Sequence, residues 1–242
     1  MKGCVTVFSL FCLILISHSC HTTYKTLNGV KSIQFSNYTW IIKESESEPS
    51  GPRANLWSAD NVCVSRSGNL EMSIRNKQGK WYASEIYLPK SQGYGTYTFS
   101  VTSDLYNLDT NAVLGLFLYE CDSQEIDIEI AKHIDRMGIH NAAFTIQPLD
   151  SSIEASQYLF RINQPGPMRF SIRWSADAVR FEAATESGNI VSSYTVSDQS
   201  KIPVASGELA RINYFLFHPD QGLEHKRKAK ISISDFEFIP EN

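Results

Sequence analysis

The chain is short of several things. Five cysteines in 242 residues, three of them (Cys4, Cys12, Cys20) within the first 20 positions, exclude a disulfide-dense miniprotein. With 13 Gly and 9 Pro against 42% hydrophobic residues, the composition excludes a collagen-like, low-complexity or disordered chain. Neither charge dominates: 22 Lys+Arg against 26 Asp+Glu gives a net charge of -4, so no electrostatic argument points to nucleic acid. No segment carries a helical stripe of period 3.6 longer than about ten residues. The longest apolar run, Val5 to Ile16, is too short to span about 30 Å of hydrocarbon at 1.5 Å per residue.

That run follows Lys2 and meets the small-residue stretch Ser17-His18-Ser19-Cys20, the layout of a secretory leader over residues 1–19. Residues 20–242 then form the mature chain. Two ends are open for it: ordinary signal cleavage, or lipidation of Cys20 as in a bacterial lipoprotein. A secreted or cell-envelope location is expected either way, with any membrane contact made only through that lipid. Cys63 and Cys121 remain, either as a pair in an oxidising compartment or as two separate buried thiols. Asn37-Tyr38-Thr39 is a glycosylation sequon.

From residue 30 onward, about fourteen β-type segments alternate with turn residues, from Ser32–Lys43 to Lys230–Ile239. Period-two alternation is plain in Tyr97-Thr98-Phe99-Ser100-Val101. In Ile231-Ser232-Ile233-Ser234 it runs on and then resumes one step out of phase at Phe236, which predicts a bulge near Asp235. Strands at roughly 8–12-residue spacing with no linker and no repeat predict one all-β domain, a two-sheet antiparallel β-sandwich.

The most informative segment is Gln124-Glu125-Ile126-Asp127-Ile128-Glu129-Ile130. Alternation sends the isoleucines to one face, which is core, and Glu125, Asp127 and Glu129 to the other. One reading of the acid side is a solvated outer face. Against it, Asp and Glu are depleted in strands and like charges along one face repel, so the row is costly without structural return. The other reading is retaining glycoside hydrolysis. Glu125 and Glu129 are about 13 Å apart at Cα for ~3.3 Å per residue, and a retaining pair brings its carboxyl groups to ~5–5.5 Å. Two glutamates leaning together across a concave sheet close that gap, so the strand is expected in a concave face. Asp127 between them would share charge with both and help keep one glutamate protonated near neutral pH. A metal site is the rival use of the acids, but strand neighbours facing one way bracket a sugar more readily than they wrap a cation.

Glu125-Ile126-Asp127-Ile128-Glu129 resembles the signature of glycoside hydrolase family 16, the β-glucanases and relatives with a concanavalin-like jelly roll. Trp57-Ser58-Ala59-Asp60-Asn61-Val62, Ala83-Ser84-Glu85-Ile86, Tyr94-Gly95-Thr96-Tyr97, Val113 to Phe117 and Phe170 to Phe181 resemble further segments of the lichenase branch, in the family's order over residues 32 to 240. The resemblance implies Glu125 as nucleophile, Asp127 as electrostatic helper and Glu129 as general acid and then base. It implies substrate contacts at Trp57, where an aromatic face would stack on a sugar, and at Glu85, Asn141 and Asn213. The sequence departs from that branch at Ser123, Ala143 and Phe215, where the branch has aromatic residues of its cleft, and at the turn Phe181 to Thr185. No extra residue interrupts the acidic strand, unlike the laminarinase branch.

The expected activity is a retaining endo-glycosidase acting on internal β-linkages of a neutral polysaccharide, a β-glucan or galactan, by a monomer without a cofactor. A bracing structural calcium ion is left open. A transglycosylase using the same residues, or a carbohydrate-binding scaffold without turnover, are the alternatives. Elsewhere, Trp81-Tyr82 reads as a replacement stacking platform or a cap on the sandwich edge, Trp40 and Trp174 as core, and the loop at His218 as a border of the cleft. The basic run from His225 to Lys230 reads as a solvated loop.

Overall fold

The computed structural model describes residues 24–27, 29–132, 134–147, 152, 154–224 and 228–241. The leader and Cys20 lie outside them, as do His133 and the first three residues of the basic run.

Strands account for nearly all regular structure among the described residues, the exceptions being two single turns of 3-10 helix, at Ala59–Asn61 and Gln199–Lys201. One sheet runs, in order, β1 (Lys25–Leu27), β2 (Val30–Phe35), β3 (Tyr38–Ile42), β7 (Lys80–Tyr87), β16 (Leu209–Leu216), β9 (Ala112–Cys121), β10 (Gln124–Ala131), β11 (Ala142–Gln147) and β12 (Ser156–Phe160). The other runs β5 (Val62–Val64), β6 (Leu70–Lys77), β17 (Lys228–Pro240), β8 (Gly95–Val101), β13 (Met168–Trp174), β14 (Val179–Thr185) and β15 (Ile190–Val196). The two join where the first half of β7 pairs with β6 and with the short β4 (Leu56–Trp57). Every pairing is antiparallel except β4 with β7.

The core lies between the sheets, where period-two strands send alternate side chains inward. Ile126, Ile128 and Ile130 of β10 are at most 1% exposed. Rings lock across the gap: Phe144 of β11 stacks on Phe181 of β14 at 5.0 Å, and Trp40 of β3 meets Phe236 of β17 edge-on at 4.9 Å. Trp40 and Trp174 are fully buried. Such pairs add about 0.5–1.5 kcal/mol each beyond the area they bury.

Two sequence expectations are met in detail. The register of β17 against β8 slips between Ile233 and Asp235, where the alternation changes phase. The pairing of β10 is continuous from Glu125 to Ala131, its one irregularity falling ahead of Glu125. Two others are corrected. Ser32–Lys43 is two strands, because Ser36 and Asn37 both adopt positive φ (49° and 66°) and close a two-residue hairpin turn. The Asn37 sequon therefore sits in that turn. Cys63 is disulfide-bonded whereas Cys121 is free and exposed, so these two do not pair, and Cys121 is not buried either.

Candidate active site

The outer side of the first sheet is hollow, and the acid row faces the hollow. Antiparallel register lines up neighbours across five strands. Glu85 of β7 stands opposite Asn213 of β16, Asn213 opposite Gly115 of β9, Gly115 opposite Glu129, and Glu129 opposite Ala143 of β11. The next row on the same face is Tyr87, Arg211, Phe117, Asp127 and Thr145. Tyr119 and Glu125 face each other one step further. A cleft of about 410 Å³ has Glu125, Asp127 and Glu129 in its lining, together with Lys43, Glu85 and Arg211.

Gly115 makes the cleft deep. A Cβ there would run into the Asn213 amide oxygen and stand 3.3 Å from its Cγ. The glycine leaves room for Asn213 beside Glu129. The Asn213 Oδ1 and the Asp127 Oδ1 are buried without a hydrogen-bond partner among the described residues. Such atoms cost about 1–3 kcal/mol each unless something in the cleft satisfies them.

Electrostatics follow from burial. Glu125 is pushed up to about 7, first by desolvation and then by the charges of Glu129 and Asp122, with Arg211 pulling the other way. Asp127 is raised well above the usual carboxylate range, by its burial and then by both glutamates, with hydrogen bonding from Thr145 opposing. Glu129 is raised by burial, opposed by the Arg53 charge. Burial thus raises all three carboxyls of the row above their ordinary range.

The cations of the cleft are two residues that sequence reasoning left out of the site. Lys43, just past β3, donates to Glu85 Oε2 at 3.0 Å and to the Gly51 carbonyl at 2.7 Å. Arg211 donates to Glu85 Oε1 at 2.9 Å. Glu85 itself is 1% exposed, and the two ion pairs occupy both of its carboxylate oxygens.

The segment from Ser50 to Asn55 folds over the hollow as a strap. Ser50 bonds Asn55 backbone to backbone at 2.9 Å. The Asn55 side chain donates to Leu216 O at 2.9 Å and accepts from Leu216 N at 3.1 Å. The Arg53 guanidinium lies 4.1 Å over the Phe217 ring. Pro52 lines the acid cleft and also a second cavity of about 480 Å³, into which Glu129 and His218 face.

No family model matches this sequence, and no curated protein is similar to it. Solved structures are similar in fold. The β-glucanase of Bacillus licheniformis superposes with a TM-score of 0.64 at 14% identity, over 83% of this chain and 92% of that one. A Bacteroides ovatus family 16 protein, in complex with a mixed-linkage glucan product, gives 0.65 at 14% over 83% and 94%. A lichenase derived from a mouse hindgut metagenome gives 0.61 at 17% over 84% and 93%. The chain has the glycoside hydrolase family 16 fold.

Within the family 16 fold, the structure brings Glu85, Glu125, Asp127, Glu129 and Asn213 into one cleft. Two other expected contacts lie elsewhere. Trp57 is 1% exposed, in a small apolar cluster with Ala83, Val113 and Phe215, and the Lys43 ammonium covers its ring at 4.1 Å. A ring so covered offers no face to a sugar. Asn141 spends its side chain on Ile162, donating to O at 2.9 Å and accepting from N at 2.7 Å, which ties the start of β11 to the chain after β12. It does not line the acid cleft.

Trp81 sits against Gly222 and lines a shallow hollow with Arg53 and Pro219, apart from the acids. Lys43, Arg211, Phe117 and Tyr119 were missed. For the last three the signal was parity: on β9 and β16 they fall in phase with Gly115 and Asn213, on the face of the acid row.

Proposed function

We propose that this chain is a retaining β-glycosidase acting on a β-glucan-type polysaccharide. The observation that carries the reading is the acid row: three carboxylates in phase on one unbroken strand, all facing one cleft, each raised above its ordinary range by burial. Known structures with this fold include β-glucanases and a lichenase, and that supports a glucan as the substrate class.

In the proposed reaction, the Glu125 carboxylate attacks the anomeric carbon while the proton of Glu129 passes to the glycosidic oxygen. The bond between that carbon and the leaving oxygen breaks, and the sugar is held as an ester of Glu125. Glu129, now ionised, takes a proton from water, the water oxygen attacks the same carbon, and Glu125 is released with retained configuration. Asp127 opposes a second charge beside each glutamate, so ionisation of Glu125 favours the protonated form of Glu129. The Asn213 Oδ1 and Asp127 Oδ1, buried without a hydrogen-bond partner among the described residues, would accept from sugar hydroxyls.

The test is reducing-end release from β-1,3-, β-1,4- and mixed-linked glucans and from galactans, with the anomer formed first followed by NMR. The wild type should release the β-anomer from at least one substrate. Glu125→Gln should abolish turnover, and Glu129→Gln should lower it by about 10²–10⁴-fold, the usual worth of a general acid. Wild-type rates in either folded variant refute the roles.

A further inference from the structure

Arg211 is held on three sides. Its Nη1 donates to Glu85, and its guanidinium carbon lies 4.9 Å from the Tyr87 ring centre and 5.0 Å from that of Tyr119. An aromatic sandwich of this kind fixes the plane of the guanidinium. Its Nε is buried with no hydrogen-bond partner among the described residues, in the lining of the acid cleft. Tyr119, the ring on one side, stands directly opposite Glu125.

The neighbouring charges leave this cation unspent. Glu85 carries one negative charge against two positive partners, Lys43 and Arg211. Lys43 is turned away from the acids, toward the Gly51 carbonyl and the Trp57 ring. Among the described residues neither Glu125 nor Glu129 has an ion pair within 4.0 Å. The groups that face Glu125 are Tyr119 from β9, Asp122 from the following turn, Asp127 and Glu129 from its own strand, Glu85 from β7 and Arg211 from β16; opposite it on β11 is the uncharged Gln147. All but Arg211 are neutral or negative.

We infer that Arg211 is a positioning residue: it is the one cation facing Glu125 among the described residues, and it favours the ionised, attacking form of that carboxyl against the negative groups around it. The inference rests on the hydrolase reading for the names nucleophile and acid, but the placement of charge is measurable without substrate. Glu129 has its own cation in Arg53 of the strap, so each glutamate answers to a different arginine. Tyr87 and Tyr119 act through it, by keeping the guanidinium from swinging into solvent.

The experiment is a carboxyl titration of the full chain labelled with 13C-glutamate, with Glu125 assigned through Glu125→Gln. In Arg211→Met the Glu125 midpoint should rise by about one pH unit, a tenfold change in proton affinity and the low end of what an adjacent cation supplies. In Arg211→Lys, which keeps a charge but not the stacked fork, the rise should be smaller. The acid limb of kcat/KM should move up by the same amounts, because the attacking group must be ionised.

Arg211→Met leaves buried Glu85 with one cation. If it fails to fold, the double variant Arg211→Met/Glu85→Gln removes both charges, and its Glu125 midpoint should lie about one pH unit above that of Glu85→Gln alone, since the lost Glu85 charge by itself lowers the midpoint. A Glu125 midpoint unchanged in a folded variant, or a shift confined to Glu129, overturns the inference. A shifted midpoint in a protein that cleaves no polysaccharide upholds the placement of charge and removes the hydrolase reading.

Discussion

The contact between Gly115 and Asn213 offers a test of how the cleft is built, independent of any assay for activity. In Gly115→Ala the new Cβ would overlap the Asn213 Oδ1, stand 3.3 Å from its Cγ, and lie 3.5 Å from the Phe117 ring. Asn213 cannot retreat freely: it is 3% exposed and flanked by Glu85 on β7. Forcing one methyl into such a place costs about 1–3 kcal/mol. At about 2–4 °C per kcal/mol for a chain of this size, the thermal midpoint should fall by about 2–12 °C.

Asn213→Ala removes the obstructing amide, and with it an oxygen that is buried without a partner among the described residues. The double variant Gly115→Ala/Asn213→Ala should therefore lose less stability than the sum of the two single changes, by about 0.5–3 kcal/mol as expected for touching residues. Thermal or urea unfolding of the four proteins closes the cycle. Additivity within about 0.3–0.5 kcal/mol would refute the claim that the glycine exists to seat Asn213.

Acid-row repulsion should appear in the pH dependence of stability. Glu125 binds its proton more tightly folded than unfolded, so its contribution is favourable below its ordinary value of 4.5 and is lost as pH rises to about 7. Glu125→Gln should accordingly melt higher than wild type at pH 8, with the gap shrinking toward pH 5; a gap independent of pH contradicts this. Asn55→Ala should cost about 1–3 kcal/mol by leaving Leu216 backbone groups unpaired, and should open the strap near Pro52 to limited proteolysis that wild type resists. Trp57→Phe should lower the melting temperature while changing KM less than about twofold, since the covered ring meets no substrate; a large KM effect at unchanged stability would restore it as a sugar platform.

The acid strand was legible because its alternation is strict over seven residues, and two-sided burial leaves one register for it. The bulge at Asp235 was legible for the same reason: a change of phase has a single geometric meaning. The hairpin turn at Ser36-Asn37 was not, because two polar residues between apolar neighbours look like a continuing strand until both φ angles are known. Trp57 shows a different limit. Its place beside the cleft strand β7 follows from the chain order, but whether its ring is bare depends on Lys43, and Lys43 turns over it because Gly51 of the strap offers a carbonyl. Asn141 was misplaced by analogy alone: an asparagine at the start of a strand satisfies backbone groups as readily as it meets a ligand.

What separates this cleft from a mere acidic hollow is where its cations come from. A carboxylate row on one strand repels itself, and the same strand carries no basic residue to relieve it. Relief comes from Arg211, two strands away, and from Arg53 on the strap, each weighing on a different glutamate. The two are held differently. Arg211 is gripped by Glu85 and two tyrosines of the sheet, whereas Arg53 rests on one ring at the end of a loop segment. A charge fixed to the sheet biases Glu125 permanently. Arg53 reaches Glu129 from the strap, which the Asn55 side chain ties to the backbone of Leu216. The two glutamates thus answer to cations on different elements, both far from the acid strand in sequence.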